Sequence, residues 1–183
     1  MTDRFGLIRS TSEIEWDWHR SHLKMDAPGA AAYTGFYAQH GGSVQFQNDL
    51  TLTDITVLNP PNAPYPVTEK ELFIAFGIVS KDGKPLNESN QVELSLVSTS
   101  FKTGANYKAD NVIKGTPLAG GVSGTAPVLV TRAGGTLRAP WLSGMKYRLL
   151  DWHLNVIGEG KIAGDTLTIP ADQKVFQIEL TRP

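Results

Sequence analysis

Apolar and polar side chains alternate with a period of two along most of the chain after residue 43. The alternation is clearest in residues 145–183, where β-branched and aromatic residues alternate with polar ones. Three turns, at residues 152–155, 163–165 and 171–173, interrupt it at hairpin spacing and predict a C-terminal meander. One face of each strand is therefore buried, and the rest of the chain must supply a second layer.

Many short strands separated by Gly and Pro turns predict an all-β protein. The expected fold is an antiparallel β-sandwich, immunoglobulin-like or jelly-roll, with under about one-fifth helix. Residues 72–79 are almost continuously apolar, which predicts a central strand buried on both faces. The pattern predicts a core consisting of Leu72, Ile74, Phe76, Ile78, Leu94, Leu96, Leu149, Leu167, Ile169, Phe176 and Ile178.

The domain boundaries follow from composition. Residues 1–25 form an extended N-terminal arm, and residues 26–183 form a single β-sandwich domain. Small residues dominate from 26 to 42 and predict a connecting loop, while repeated glycines around 98–139 predict an irregular insertion that holds two short strands.

The arm carries an unusual aromatic pattern. Ile14, Trp16 and Trp18 alternate with acidic and histidine residues, which favours a strand or extended arm over the short helix that a capping box at residues 12–15 would open. Two tryptophans need cover, either on the end of their own domain or on a neighbouring subunit. We expect the arm to make contact between subunits.

A second anomaly is the tip of the C-terminal hairpin, Trp152, His153 and Leu154. Turns ordinarily carry Gly, Asn, Asp and Pro. Aromatic side chains on loops that a sheet holds in place are typical contact residues. Contact with a partner and packing back onto the sandwich are equally favoured for Trp152, and all three residues are candidate interaction residues.

Charge and composition narrow the function classes. The 183 residues carry a formal net charge of −1, so there is no basic excess for binding nucleic acid or an anionic membrane surface. There is no cysteine, which excludes disulfides, thiolate metal sites and a cysteine nucleophile. The first residues do not show a signal-peptide pattern, so we expect synthesis and folding in a cytoplasm.

No constellation of residues predicts catalysis, a metal site or a cofactor. His19 and His22 are three residues apart and would not share a face of a strand. Residues 82–90 contain oxygen ligands that could bind calcium, but turn chemistry explains the same residues more simply and is the favoured interpretation. Ser123 lies in a sequence one residue short of a nucleophile elbow.

Residues 147–151, 156–157, 160–162 and 164–170 form a hairpin pattern that resembles immunoglobulin-like and related β-sandwich modules of tailed-bacteriophage structural proteins and bacterial surface proteins. The resemblance implies a non-enzymatic virion component, in a capsid or a tail, that is assembled in the host cytoplasm from copies of itself and other virion proteins. The alternative is a carbohydrate-binding or receptor-binding β-sandwich module, in which exposed aromatic rings bind polysaccharide.

Overall fold

A computed structural model describes residues 13–17, 19–63, 67–68, 72–105 and 124–183. The fold is all-β, as predicted, with 55% strand and 4% helix. The helical residues described are the single 3-10 turns Tyr37–His40 and Pro140–Leu142. The strands are β1 Ile14–Asp17, β2 His22–Ala27, β3 Ala30–Phe36, β4 Ser43–Gln45, β5 Thr51–Leu58, β6 Phe73–Ser80, β7 Gln91–Val97, β8 Ser100–Thr103, β9 Thr125–Val130, β10 Arg132–Arg138, β11 Lys146–Leu150, β12 Val156–Lys161, β13 Thr166–Ile169 and β14 Gln177–Thr181.

Two sheets form the sandwich. The large sheet has eight strands in the order β1-β2-β3-β6-β7-β14-β11-β12, and the small sheet has four in the order β13-β10-β5-β4. Strands β8 and β9 form a separate two-stranded ribbon. Neighbouring strands are antiparallel in both sheets. Because the small sheet has half as many strands, it can cover only part of the large one.

The core lies between the inner faces of the two sheets. Ile74, Phe76 and Ile78 of β6 are buried there. Ten of the eleven predicted core residues are buried, whereas Phe176 is half-buried because it lies just before β14, where Trp152 contacts it.

The prediction that residues 72–79 are buried on both faces is wrong. Strand β6 is central, but its other side carries half-exposed residues, and Val79 is exposed. The outward positions include Ala75 and Gly77, whose small side chains make the sequence look continuously apolar without needing a second layer. A near-continuous apolar run is therefore not enough to show burial on both faces.

The predicted loop at residues 26–42 is also wrong. Pro28 and Gly29 form a tight turn between β2 and β3, and the Ser80 N–H donates to the Gly29 carbonyl 2.9 Å away. Alanines have low strand propensity, but β3 is held between β2 and β6 along its length. The domain boundary placed after residue 25 therefore falls inside β2.

The C-terminal part is not a simple meander. Strands β11 and β12 form the predicted hairpin, but β13 crosses to the small sheet and pairs with β10. Strand β14 then returns to the large sheet between β11 and β7. Strand β10, within the region predicted as irregular, is an inner strand of the small sheet and pairs with both β5 and β13.

The N-terminal segment is a strand, as predicted, but it forms part of the domain. Strand β1 pairs with β2 in the register Ile14 with Met25 and Trp16 with Leu23. The Asp26 N–H also donates to the Glu13 carbonyl at 2.7 Å. Backbone pairing therefore continues the large sheet into the predicted arm. Trp18 and residues 1–12 lie outside the described residues.

Candidate interaction surfaces

The hairpin of β1 and β2 displays four apolar side chains on one side. Directly paired residues of an antiparallel ladder point to the same face, so Ile14, Met25, Trp16 and Leu23 lie together. Trp16 is 54% exposed and Leu23 is 46% exposed. We call these four residues the hairpin surface. They lie on the outer face of the large sheet, away from the small sheet.

The opposite side of the same hairpin is polar and faces inward. Lys24 pairs with Asp26 at 3.0 Å, and its ammonium group lies 5.3 Å from the ring centroid of Phe46. The Asp26 carboxylate accepts a hydrogen bond from the Gln47 N–H at 2.8 Å. His22 is buried, with its Nε2 3.5 Å from a Glu15 carboxylate oxygen. The hairpin therefore directs polar groups toward the domain and apolar groups outward.

The turn of this hairpin is fixed by Asp17. Its carboxylate accepts a hydrogen bond from the Arg20 N–H at 3.0 Å, and this bond lowers the pKa of Asp17. Ser21 adopts a left-handed backbone conformation with φ of 49°. These features hold the two strands in register, so that Trp16 is presented by a defined backbone.

The second surface is the turn between β11 and β12. The Asp151 carboxylate accepts hydrogen bonds from the backbone N–H groups of His153 at 2.8 Å and Asn155 at 2.9 Å. The Asn155 side-chain amide adds a third bond at 3.2 Å. These bonds, led by the Asn155 N–H, hold the pKa of Asp151 below its usual range. One carboxylate therefore organises the whole turn.

The side chains that this turn presents are large and apolar. Trp152 is 69% exposed, although it contacts Phe176 in an edge-to-face arrangement with ring centroids 4.2 Å apart. Leu154 is 57% exposed. Its φ of 62° is a left-handed conformation that is unfavourable for leucine. Val156 and Ile157 continue the exposed apolar side chains into β12. We call Trp152, Leu154, Val156 and Ile157 the tip surface.

Trp152 packs back against Phe176 and still exposes most of its ring, and its contact with a partner stays a prediction. His153 is exposed beside it. The structure does not bring the two groups of predicted interaction residues together, because β1 and β12 are the two outermost strands of the large sheet. Seven strand spacings of about 4.8 Å separate these edges, or roughly 34 Å.

Leu23 and Met25 belong to the hairpin surface but were not predicted. Their signal was the alternation of Leu23, Met25 and Ala27 with Lys24 and Asp26, which has the period of a strand. The small residues that follow predict a connecting loop, and that prediction masks the strand signal of residues 23–27.

The residues considered for metal binding are engaged in other ways. The Asp82 carboxylate accepts hydrogen bonds from the Ser80 hydroxyl at 2.9 Å, the Ser89 hydroxyl at 2.7 Å and the Asn90 N–H at 2.9 Å. These bonds, with the Asn90 N–H first, strongly lower the pKa of Asp82. Among the described residues, no group of three or more His, Asp or Glu is arranged to hold a metal ion.

A shallow groove of about 380 Å³ lies at residues 48–49, 87 and 140–141. Trp141 forms part of its lining, and its indole N–H donates to the Asn48 carbonyl at 3.1 Å. Asn48 and Asp49 both adopt left-handed backbone conformations there, with φ of 59° and 56°. The groove thus combines an aromatic ring with the amides of Asn48 and Asn87 and the carboxylate of Asp49.

Within the described part of the chain, none of the helical turns has the length or apolar character required to cross a membrane. A scan against protein-family models, a search of curated proteins and a search of solved structures each found no match. Among the described residues, the two exposed apolar surfaces and the groove are the candidate sites of interaction.

Proposed function

We propose that this protein is a non-enzymatic structural component that acts by associating with copies of itself and with neighbouring proteins. The tip surface carries the proposal, because Trp152 and Leu154 are exposed on a turn that Asp151 holds in one conformation. Leu154 has a left-handed backbone conformation that costs a non-glycine residue on the order of 1–2 kcal/mol. A contact between Leu154 and a partner would offset this cost.

The hairpin surface supports the same proposal from the other edge of the sheet. Burying one large apolar side chain contributes about 1.5–3 kcal/mol. Trp16 and Leu23 both remain about half exposed in the domain, so a partner that covers them gains roughly half of this free energy from each. Rigid aromatic and aliphatic anchors of this kind dominate the binding energy of protein interfaces.

A virion of a tailed bacteriophage is the setting we propose for this association, in agreement with the hairpin pattern of residues 147–170. A capsid or tail protein must make several contacts with its neighbours at once. A sheet with apolar surfaces at two opposite edges suits that requirement, since one subunit can then touch more than one partner.

Analytical ultracentrifugation tests the proposal. The wild-type chain should associate reversibly between about 1 μM and about 1 mM, the range that corresponds to binding free energies of roughly −8 to −4 kcal/mol. A double variant with a charge on each surface, Leu23→Glu with Leu154→Glu, should sediment as a folded monomer.

The matched control is Val130→Glu, which places the same charge at an exposed apolar residue of the β8–β9 ribbon. It should associate like the wild type. A wild-type protein that stays monomeric at every concentration would contradict the proposal.

The groove at Trp141 favours a second candidate function, binding of a carbohydrate. An aromatic face with amide and carboxylate groups beside it provides the acceptors and donors that sugar hydroxyls require. A monomer whose migration is retarded by a soluble polysaccharide in native gels, and whose retardation is lost in Trp141→Ala, would support this function over assembly.

A further inference from the structure

The outer face of the large sheet is divided into two halves of different chemistry. In the described strands β1, β2, β3 and β6, the ladder registers place only uncharged residues on this face. Across β7, β14, β11 and β12, one continuous row of outward residues reads Glu93, Glu179, Arg148 and Glu159. Arg148 pairs with Glu179 at 3.0 Å in this second half. We call the outward side of β1, β2, β3 and β6 the uncharged half.

The polarity of the edge hairpin shows which of its sides is suited to burial. A solvent-facing side of an antiparallel sheet is normally polar, and the core-facing side is apolar. Strands β1 and β2 reverse this order, since Glu15, Lys24 and Asp26 point inward and the hairpin surface points outward. A second sheet packed on the outer face would bury the apolar side of the hairpin, as is usual for an antiparallel sheet.

The shape of the uncharged half fits a copy of itself. The hairpin surface, with Trp16 and Leu23, stands beside strands β3 and β6. The central outward residues of these strands are small, namely Ala32, Thr34, Ala75 and Gly77, and Phe36, Phe73 and Val79 lie at the strand ends. A Cβ atom placed on Gly77 would meet no other atom within 4 Å, so the space above this strand is open. A two-fold axis would place the large side chains of each copy over the small residues of the other.

We infer that two copies of this chain pack face to face through their uncharged halves. Four strands at about 4.8 Å spacing and roughly six residues long present a face of about 400 Å² in projection. The accessible area of such a pleated face is larger, so a dimer would approach the lower end of stable interfaces, about 1,200 Å² in total. The interface is weak, and its dissociation constant lies in the micromolar range. The inference rests on the proposed function and names the surface on which association begins.

Two matched charge substitutions test the inference. Leu23→Glu places a carboxylate in the uncharged half, and Val130→Glu places one on the β8–β9 ribbon, outside both apolar surfaces and at a residue of similar exposure. In sedimentation equilibrium, Leu23→Glu should raise the dimer dissociation constant by at least about 100-fold, because two unpaired carboxylates would be buried at a two-fold interface. Val130→Glu should leave it within about threefold, inside the usual range for an uninvolved surface position.

Circular dichroism and thermal melting establish that each variant is folded. If Leu23→Glu does not fold, Leu23→Ser provides the milder change, and it should still raise the dissociation constant by about tenfold. Dimers that resist both changes at Leu23 but dissociate with Leu154→Glu would overturn the inference and leave self-association through the tip surface standing. A wild-type monomer, with the face covered by another part of the chain or unoccupied, would overturn both the inference and the proposed function.

Discussion

The two halves of the large sheet carry different kinds of residue on their outer face. Across β7, β14, β11 and β12, the outer face is protected by charge, with ion pairs such as Arg148 with Glu179 and Lys81 with Glu93. Across β1, β2, β3 and β6, the outer face carries only uncharged residues. Sheets with a solvated face place polar residues there. From this difference we infer that the uncharged half is covered by a second copy, whereas the charged residues of the other half stay in water.

The largest expected effect distinguishes the inner face of strand β6 from its outer face. Phe76 is buried on the inner face of β6, where its ring contacts Phe46 at 5.7 Å between centroids. Phe76→Ala should lower the free energy of unfolding by about 3–5 kcal/mol, because it leaves a cavity in the core. Val79→Ala, on the outer face of the same strand, should cost under about 1 kcal/mol in dilute protein. Urea denaturation measures both, and a loss under about 1 kcal/mol for Phe76→Ala would show that β6 is not central to the core.

The next effect concerns the loop that joins the two halves, between β6 and β7. Asp82 accepts three hydrogen bonds there, one of them from the buried hydroxyl of Ser89, and its pKa is strongly lowered. A lowered pKa contributes stability above the unfolded-state pKa of about 3.9, and this stability is lost as the pH falls further. Asp82→Asn should therefore melt at a lower temperature than the wild type at pH 7.

The difference between the two melting temperatures should narrow as the pH falls below about 4. Addition of a chelator at pH 7 should leave both melting temperatures unchanged, since three hydrogen bonds to the Asp82 carboxylate organise this loop. A fall of several degrees with a chelator would instead support calcium binding at residues 82–90.

A smaller effect is expected at the tip surface. Trp152 contacts Phe176 edge-to-face but is mostly exposed, so Trp152→Ala should cost only about 0.5–1.5 kcal/mol of unfolding free energy. A loss above about 3 kcal/mol, typical of a buried aromatic residue, would show that Trp152 belongs to the core and not to a contact surface.

The smallest expected effect is an increase in the free energy of unfolding, whereas the changes above lower the stability. Leu154→Asn replaces a leucine in a left-handed conformation by a residue that adopts it more readily, so the protein should gain up to about 1 kcal/mol. The same change should weaken association that depends on the tip surface. Equilibrium denaturation and sedimentation on one sample measure both, and destabilisation by this variant would contradict the assignment of strain to Leu154.

Much of the fold could be predicted from the sequence because alternation is a local signal. The strands containing Leu94, Leu149 and Ile178 follow directly from it. Strand β3 could not be predicted, because its alanines have low strand propensity and its conformation is fixed by pairing with β2 and β6. The return of β14 between β11 and β7 depends on distant pairings that no local pattern encodes.

The candidate interaction residues were predictable only as anomalies. Trp152 and Leu154 were recognised because large apolar residues are unusual in a turn. The alternation around Trp16 identifies it as a candidate. The exposure of its side chain is not predictable from the alternation, because it depends on how far the small sheet extends over the hairpin. Sequence patterns indicate that a strand has two faces, whereas the overlap of the two sheets decides which of them remains uncovered.

We infer that the uncharged half binds a second copy while the row of Glu93, Glu179, Arg148 and Glu159 stays in water, and thiol protection tests this inference most directly. Because the chain has no cysteine, Ala32→Cys on the uncharged half and Glu179→Cys on the charged half each introduce a single reactive thiol. The rate of maleimide labelling at position 32 should fall as the protein concentration rises through the dissociation constant, whereas the rate at position 179 should stay constant. Equal labelling rates at position 32 across that range, in a protein that sedimentation shows to be associated, would contradict the claim.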